Sequence, residues 1–335
     1  MSFSQQPPFS SSTATTTLEP PIATSLSTIH PDILQSHVLT RLDGLSLFSA
    51  ACTSTELNSL ASHRDLWTNI CHSTWPSTNT PRIREIISRL PNGSRSFFSE
   101  SFPLTTGLRA NLQRNYDFPS ELISAVDIHY KNKPIFSKVV ETETSSAWFL
   151  CSPFRIDMLD PKDTCRTPIP NSGTEETCHD LAGDLSLSWI LIDPTRLRSM
   201  NLSSHKPVSV QRHWLSGEVH ARFATVLAAG ERGSASECVQ CGIMDVRGVS
   251  LQVEDMDGVF LDGEGSLGIF SAGFEGKKGM SGRREIEGRK RYEMFLGRKR
   301  ERKERKLKKE GTLDMLCVSF GVMVFFSLGL FLWLR

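Results

Sequence analysis

The sequence predicts an α+β chain: a small N-terminal helical bundle, a β-rich middle domain and a single C-terminal transmembrane helix. Over residues 26 to 76 apolar side chains recur at three- and four-residue steps, the period of a helix face. Over 118 to 275 they alternate with polar ones in short runs separated by Gly, Asp and Pro, the grammar of strands and turns. Residues 315 to 334 contain no charge. Twenty helical residues cover about 30 Å, the thickness of a bilayer's hydrocarbon core.

Charge is unevenly spread. The 335 residues carry a formal net charge of +1, yet residues 283 to 309 hold 14 Lys/Arg against 5 Asp/Glu, a local +9 that leaves −8 on the rest. The chain as a whole is therefore no polyanion binder, and the basic block needs its own explanation. Eight cysteines stand at positions 52, 71, 151, 165, 178, 238, 241 and 317. With no secretory leader expected, they read as reduced thiols acting as small buried hydrophobes, not as a disulfide framework.

In chain order, residues 1 to 25 are rich in Ser, Thr and Pro and too poor in apolar surface to offset the entropy of ordering, so a disordered tail is expected. Pro31 suits a first helical position, with Ser27 and Thr28 as cap candidates. Leu34, Val38 and Leu42 follow at four-residue steps, Ile33 and Leu39 widen the stripe, and Asp43-Gly44 ends it. A second run holds Leu45, Leu47, Phe48, Ala50 and Ala51. Thr53-x-x-Glu56 and Ser62-x-x-Asp65 have capping-box spacing ahead of Leu57 and Leu60, and of Leu66, Trp67 and Ile70.

The succession Ile29-His30-Pro31-Asp32-Ile33-Leu34, Val38-Leu39-Thr40-Arg41-Leu42, Cys52-Thr53-Ser54 and Leu66-Trp67 resembles an F-box, the adaptor-binding module of cullin-based ubiquitin ligases. His30 stands where that family usually has leucine, and Leu57 where many members carry tryptophan; both departures would retune adaptor binding. The resemblance implies that Pro31, Ile33, Leu34, Val38, Leu39, Leu42, Leu45, Leu47, Leu66 and Trp67 dock a Skp-type adaptor. Some of these must instead fill the bundle's own core, and the sequence does not sort the two sets.

Residues 77 to 117 form a helical extension and linker. Ile83, Ile86, Ile87 and Leu90 share one helix face after Thr80-Pro81, and Pro91-Asn92-Gly93 closes the helix. This helix is expected to pack back on the bundle. In the middle domain, Val126, Ile128 and Tyr130 alternate, Lys131-Asn132-Lys133-Pro134 supplies a turn, and 135 to 140 is a partner strand. Further strands are expected at 185 to 193, at Val219 to Thr225 and at Val249 to Val253, with a last one through Leu267, Ile269 and Phe274. Asp257-Gly258 and Asp262-Gly263 read as turns, and 160 to 180 as a surface loop. A sandwich, or a sheet with minor helices, fits this pattern.

Motifs with chemical overtones are weak here. The G-x-G-x-x-G string at 263 to 268 lacks the strand-then-helix setting of a phosphate site and reads as a hairpin loop. Cys238-x-x-Cys241 is a single pair, with Cys165, Cys178 and His179 in another segment, so no metal is expected. Asp193, His213 and His220 lack a nucleophile elbow. Trp148, Trp189 and Trp214 read as core residues. The chain is expected to be no enzyme and to need no cofactor.

The basic segment, 276 to 312, precedes the 313 to 335 span, and positive charge stays on the cytoplasmic side of a membrane. A tail anchor with a cytosolic N-terminus follows, with the endoplasmic reticulum as the default membrane and membrane lipids as partners. Asn92-Gly-Ser94 and Asn201-Leu-Ser203 would then stay cytosolic and unglycosylated. The rival reading is a nuclear or cytosolic protein whose basic run is a localisation signal. Interspersed Glu285, Glu287, Glu301 and Glu304 argue against nucleic acid and for a solvated juxtamembrane helix. An F-box joined to a C-terminal span resembles a group of plant F-box proteins. The resemblance implies the substrate-recognition subunit of an SCF-type ubiquitin ligase, reaching cullin through the adaptor and presenting an unknown target protein. The alternative is a membrane-tethered scaffold that uses the F-box outside a ligase.

Overall fold

The computed structural model describes residues 29–101, 118–160, 175–212, 214–215, 219–229, 235–244, 248–276, 278 and 284–335. The N-terminal tail, Ser27, Thr28, Cys165 and His213 lie outside them.

Pro31 opens helix α1 (Pro31–Ile33), capped by the His30 ring nitrogen, which accepts the Asp32 N–H at 3.3 Å. The helix widens into a π turn, Leu34–Val38, closed by the Leu39 N–H on the Leu34 carbonyl, and then tightens into a 3-10 turn, Leu39–Arg41. A π turn inserts one residue, so the apolar stripe shifts. Leu34 and Leu39, five apart, are both buried, while Val38, which a four-residue step would place inside, faces out.

Asp43 does more than end this segment: its carboxylate caps α2 (Gly44–Ala51), accepting the Ser46 N–H at 2.9 Å. Helix α3 (Thr55–Ala61) is capped by Ser54, not Thr53, and α4 (Arg64–Thr74) has no side-chain cap. The hydroxyls expected to cap them are used otherwise: Thr53 donates back to the Ala50 carbonyl at 2.7 Å and Ser62 to that of Asn58 at 2.5 Å. Helix α5 (Pro81–Arg89) buries Ile83, Ile86 and Ile87 as the stripe demands. A further helix, α6 (Ser94–Glu100), buries Phe97 and Phe98. A Cβ on Gly44 would stand 2.1 Å from the Phe98 ring, so only glycine lets α2 and α6 pack this closely.

The rest of the chain runs β1 (Glu121–Tyr130), β2 (Lys133–Glu143), α7 (Ala147–Cys151), β3 (Arg155–Asp157), α8 (Glu175–Asp184), β4 (Leu185–Asp193), β5 (Arg198–Asn201), β6 (Ser209–Arg212), β7 (Val219–Ala229), β8 (Ala235–Met244), β9 (Gly248–Glu254), α9 (Gly263–Glu275) and α10 (Arg284–Trp333). Lys131 and Asn132, both at positive φ, turn β1 into β2, as a two-residue hairpin requires. Among the described residues two antiparallel sheets result, ordered β2-β1-β4-β5 and β3-β9-β8-β7-β6.

Side chains on a strand alternate between faces, and the first sheet uses both. Leu122, Val126, Leu187, Trp189 and Leu191 join the core shared with the second sheet, whereas Ile123, Ala125, Ile190 and Ile192 join the core of the helical bundle. The architecture is three layers: bundle, sheet, sheet. That is why every residue of β4 is buried.

Several expectations are corrected. The last strand and the hairpin loop at 263 to 268 are together α9, capped by Asp262, which accepts the Gly265 N–H at 2.8 Å. Leu267, Phe270 and Phe274 fit a helical period as well as Leu267 and Ile269 fit a strand, and a short apolar run does not decide between them. The interval read as a loop holds α8 from Glu175 onward. Trp148 and Trp214 are 83% and 87% exposed; only Trp189 of the three is core. Cys71 is buried, but Cys52, Cys151 and Cys317 are exposed. The basic segment is not simply solvated: Tyr292 and Phe295 of α10 are buried against Ala224 and Met256.

Candidate adaptor-docking surface

The structure sorts the ten docking candidates. Leu34, Leu39, Leu47, Leu66 and Trp67 are interior, and Leu42 is half-buried against the same core. The five interior side chains build the bundle and do not reach its surface. Ile33 is 51% exposed, Val38 44% and Leu45 38%, and Pro31 is exposed beside them. Ile29 belongs with this set and is also exposed; its place two residues before Pro31 was the available signal. Scattered exposed apolar residues are ordinary, but five fall within seventeen residues, from Ile29 just before α1, through α1 and its π turn, to α2.

Trp67 shows why the interior set is fixed. Its indole N–H donates to the Ala61 carbonyl at 2.6 Å, and its ring lies 4.4 Å from Phe48 and 5.5 Å from Phe98. Arg95 spans the open side, its guanidinium 5.7 Å from the Phe48 ring and 6.0 Å from that of Trp67, with a 2.6 Å bond to the Ser62 hydroxyl. Removing this tryptophan would remove the bundle, not merely a contact.

The bundle is also fused to the middle domain. The Trp75 indole N–H donates to the Ser188 hydroxyl at 3.1 Å, and Asp127 of β1 accepts from Ser77 and Ser137. Burial pushes the Asp127 carboxyl above the ordinary range, and these hydrogen bonds pull it back in part.

The model of the F-box domain matches residues 29–69. The chain is 50% identical, over 97% of both chains, to a probable F-box protein of Arabidopsis thaliana. A second F-box protein of that plant is 40% identical, over 93% of this chain and 97% of its own. A third is 42% identical, over 88% and 87%. The chain belongs to the F-box proteins. It is a plant F-box protein; F-box domains generally bind Skp-type adaptors in SCF complexes, and proteins of this family typically serve as substrate adaptors. No solved structure matches it.

The weaker motifs find structural uses. Asp193 is buried, and its Oδ1 accepts the N–H groups of Thr195 and Arg196 at 2.9 and 3.0 Å, fixing the β4–β5 turn. Cys238 and Cys241 lie in β8. Among the described residues no three His, Cys, Asp or Glu are grouped to hold a metal.

Proposed function

We propose that this F-box protein is a membrane-anchored substrate-recognition subunit of an SCF-type ubiquitin ligase, and that its adaptor contact is the strip Ile29, Pro31, Ile33, Val38 and Leu45. The observation that carries the reading is the sorting itself: within the F-box, the buried leucines leave these apolar side chains facing solvent. The protein contributes proximity, raising the local concentration of a target near the ubiquitin-transfer machinery. Through the adaptor it would reach cullin, while the middle domain presents the target.

Anchoring is supported by α10, whose last part is long and apolar enough to cross a membrane and is unburied. The preceding cations favour the cytosolic side for the F-box, and the endoplasmic reticulum is the membrane we assign. The test is co-purification of the full chain with a Skp-type adaptor, with Ile33→Asp and Val38→Asp as variants. Capture by the native chain and loss in both variants supports the assignment; equal capture by all three contradicts it.

A further inference from the structure

We propose that α10 is a rigid strut clamped to the five-stranded sheet, so that the F-box rides at a fixed height and orientation over the bilayer and works on targets at that same surface. This rests on the membrane reading of residues 313 to 335. A basic juxtamembrane run is usually pictured as a free tether. Here one face of it is engaged from Tyr292 to Lys306, about 21 Å of helix.

The engagement begins with apolar contact. The Tyr292 and Phe295 rings, stacked with centroids 6.5 Å apart, are buried against Ala224 and Met256, with Val208 and Val226 at the margin. Arg222 donates to the Tyr292 hydroxyl at 3.2 Å. One turn further, Lys299 binds the Glu254 carboxylate, and Arg302 and Lys306 take the two oxygens of Asp257 at 2.9 Å each. Positions 292, 295, 299, 302 and 306 advance by three and four, which is one helix face. Gly258 shapes the receiving loop: its φ is +84, and a Cβ there would stand 3.0 Å from the Lys299 ammonium. The paired cations hold the Asp257 carboxyl below its ordinary range. Single exposed ion pairs contribute little, but three cations on two carboxylates, continuing a buried aromatic contact, make one joined interface.

Beyond Lys306 the helix continues unbroken to Trp333, and nine helical steps, about 14 Å, lead from Lys306 to Met315, where the uncharged run begins. In the other direction, the clamped sheet shares a core with the first sheet, and the first sheet shares one with the F-box. Packed contact therefore links the docking strip to the membrane end.

The test is limited trypsin digestion of the full-length protein in detergent and on vesicles, since trypsin cuts chain that opens locally. Nine Lys/Arg lie between 298 and 309. The double variant Phe295→Ala with Asp257→Lys should be cut in this block at least tenfold faster than native protein, with Leu307→Ala unchanged. If the double variant fails to fold, Gly258→Ala, which strains the receiving loop and crowds Lys299, should give the same acceleration. Native protein cut as fast as the released variants overturns the clamp. Release from vesicles in alkaline carbonate overturns the membrane reading and the fixed height with it, whereas rapid cutting of protein that stays on vesicles sinks the clamp alone.

Discussion

Ser77 and Asp127, fifty residues apart, are joined twice: the Ser77 N–H donates to one carboxylate oxygen at 2.9 Å and its hydroxyl to the other at 2.5 Å. Ser137 adds a third donor at 2.7 Å. These bonds stitch a 3-10 turn just after the F-box, Pro76–Asn79, to the centre of the first sheet, so the F-box and the middle domain pack as one body.

Replacing Asp127 by alanine leaves three donors facing a buried gap, and each orphaned donor carries its desolvation cost. The loss should be about 2–4 kcal/mol, read as a lower urea midpoint by both a helix probe and a sheet probe. If only one probe moves, the two parts are not a single unit.

The same carboxyl has a pH signature. Burial raises its folded pKa above the ordinary aspartate value of 3.8, so the folded state holds the proton more tightly than the unfolded chain does. Its contribution to stability is therefore full below 3.8, falls as pH rises through the folded pKa, and is level beyond. The urea midpoint of native protein minus that of Asp127→Asn should shrink as pH rises from 3.8 and flatten only once pH is above the folded pKa. A difference that grows with pH would contradict the assignment.

Burial pushes the Cys71 thiol up to about 12, and its Sγ is 3.4 Å from the Ser94 carbonyl, whereas Cys52 and Cys151 are exposed. Since the thiolate is the reactive form, iodoacetamide at pH 7.5 should label Cys52 and Cys151 and spare Cys71 until the protein unfolds. Mass spectrometry of the labelled peptides reads this directly.

Two glycines of α9 should respond oppositely to alanine. A Cβ on Gly263 would stand 2.2 Å from the Phe149 carbonyl oxygen, while nothing lies within 4 Å of one on Gly268. Gly263→Ala should lower the melting temperature, because backbone must move. Gly268→Ala should hold or raise it, as alanine is favoured over glycine in a helix by about 1 kcal/mol.

Much of this was legible before any coordinates. The strand at 185 to 193 is plain in the sequence, because it is a mostly apolar run, broken only by Ser186 and Ser188 before Asp193, that ends at Pro194. The isoleucine face of α5 was equally plain. Which apolar side chains of the F-box face solvent is not legible, because the π turn at Leu34–Val38 changes which residues point inward, and no four-residue periodicity carries that information. Helix α9 was misread because glycine-rich composition near its start imitates a turn, while its real determinants are distant: Phe149 on α7 and the inter-sheet core. Trp148 and Trp214 show the limit of composition, since large aromatic side chains carry no mark of which way they face.

The account stands most directly on the affinity of the full-length protein for a purified Skp-type adaptor, measured for native chain, Ile33→Asp and Val38→Asp with the melting temperature of each. The prediction is binding by the native chain and at least tenfold weakening, about 1.4 kcal/mol, in both variants at unchanged stability. Native protein that does not bind, or variants that bind as tightly as native, would contradict it.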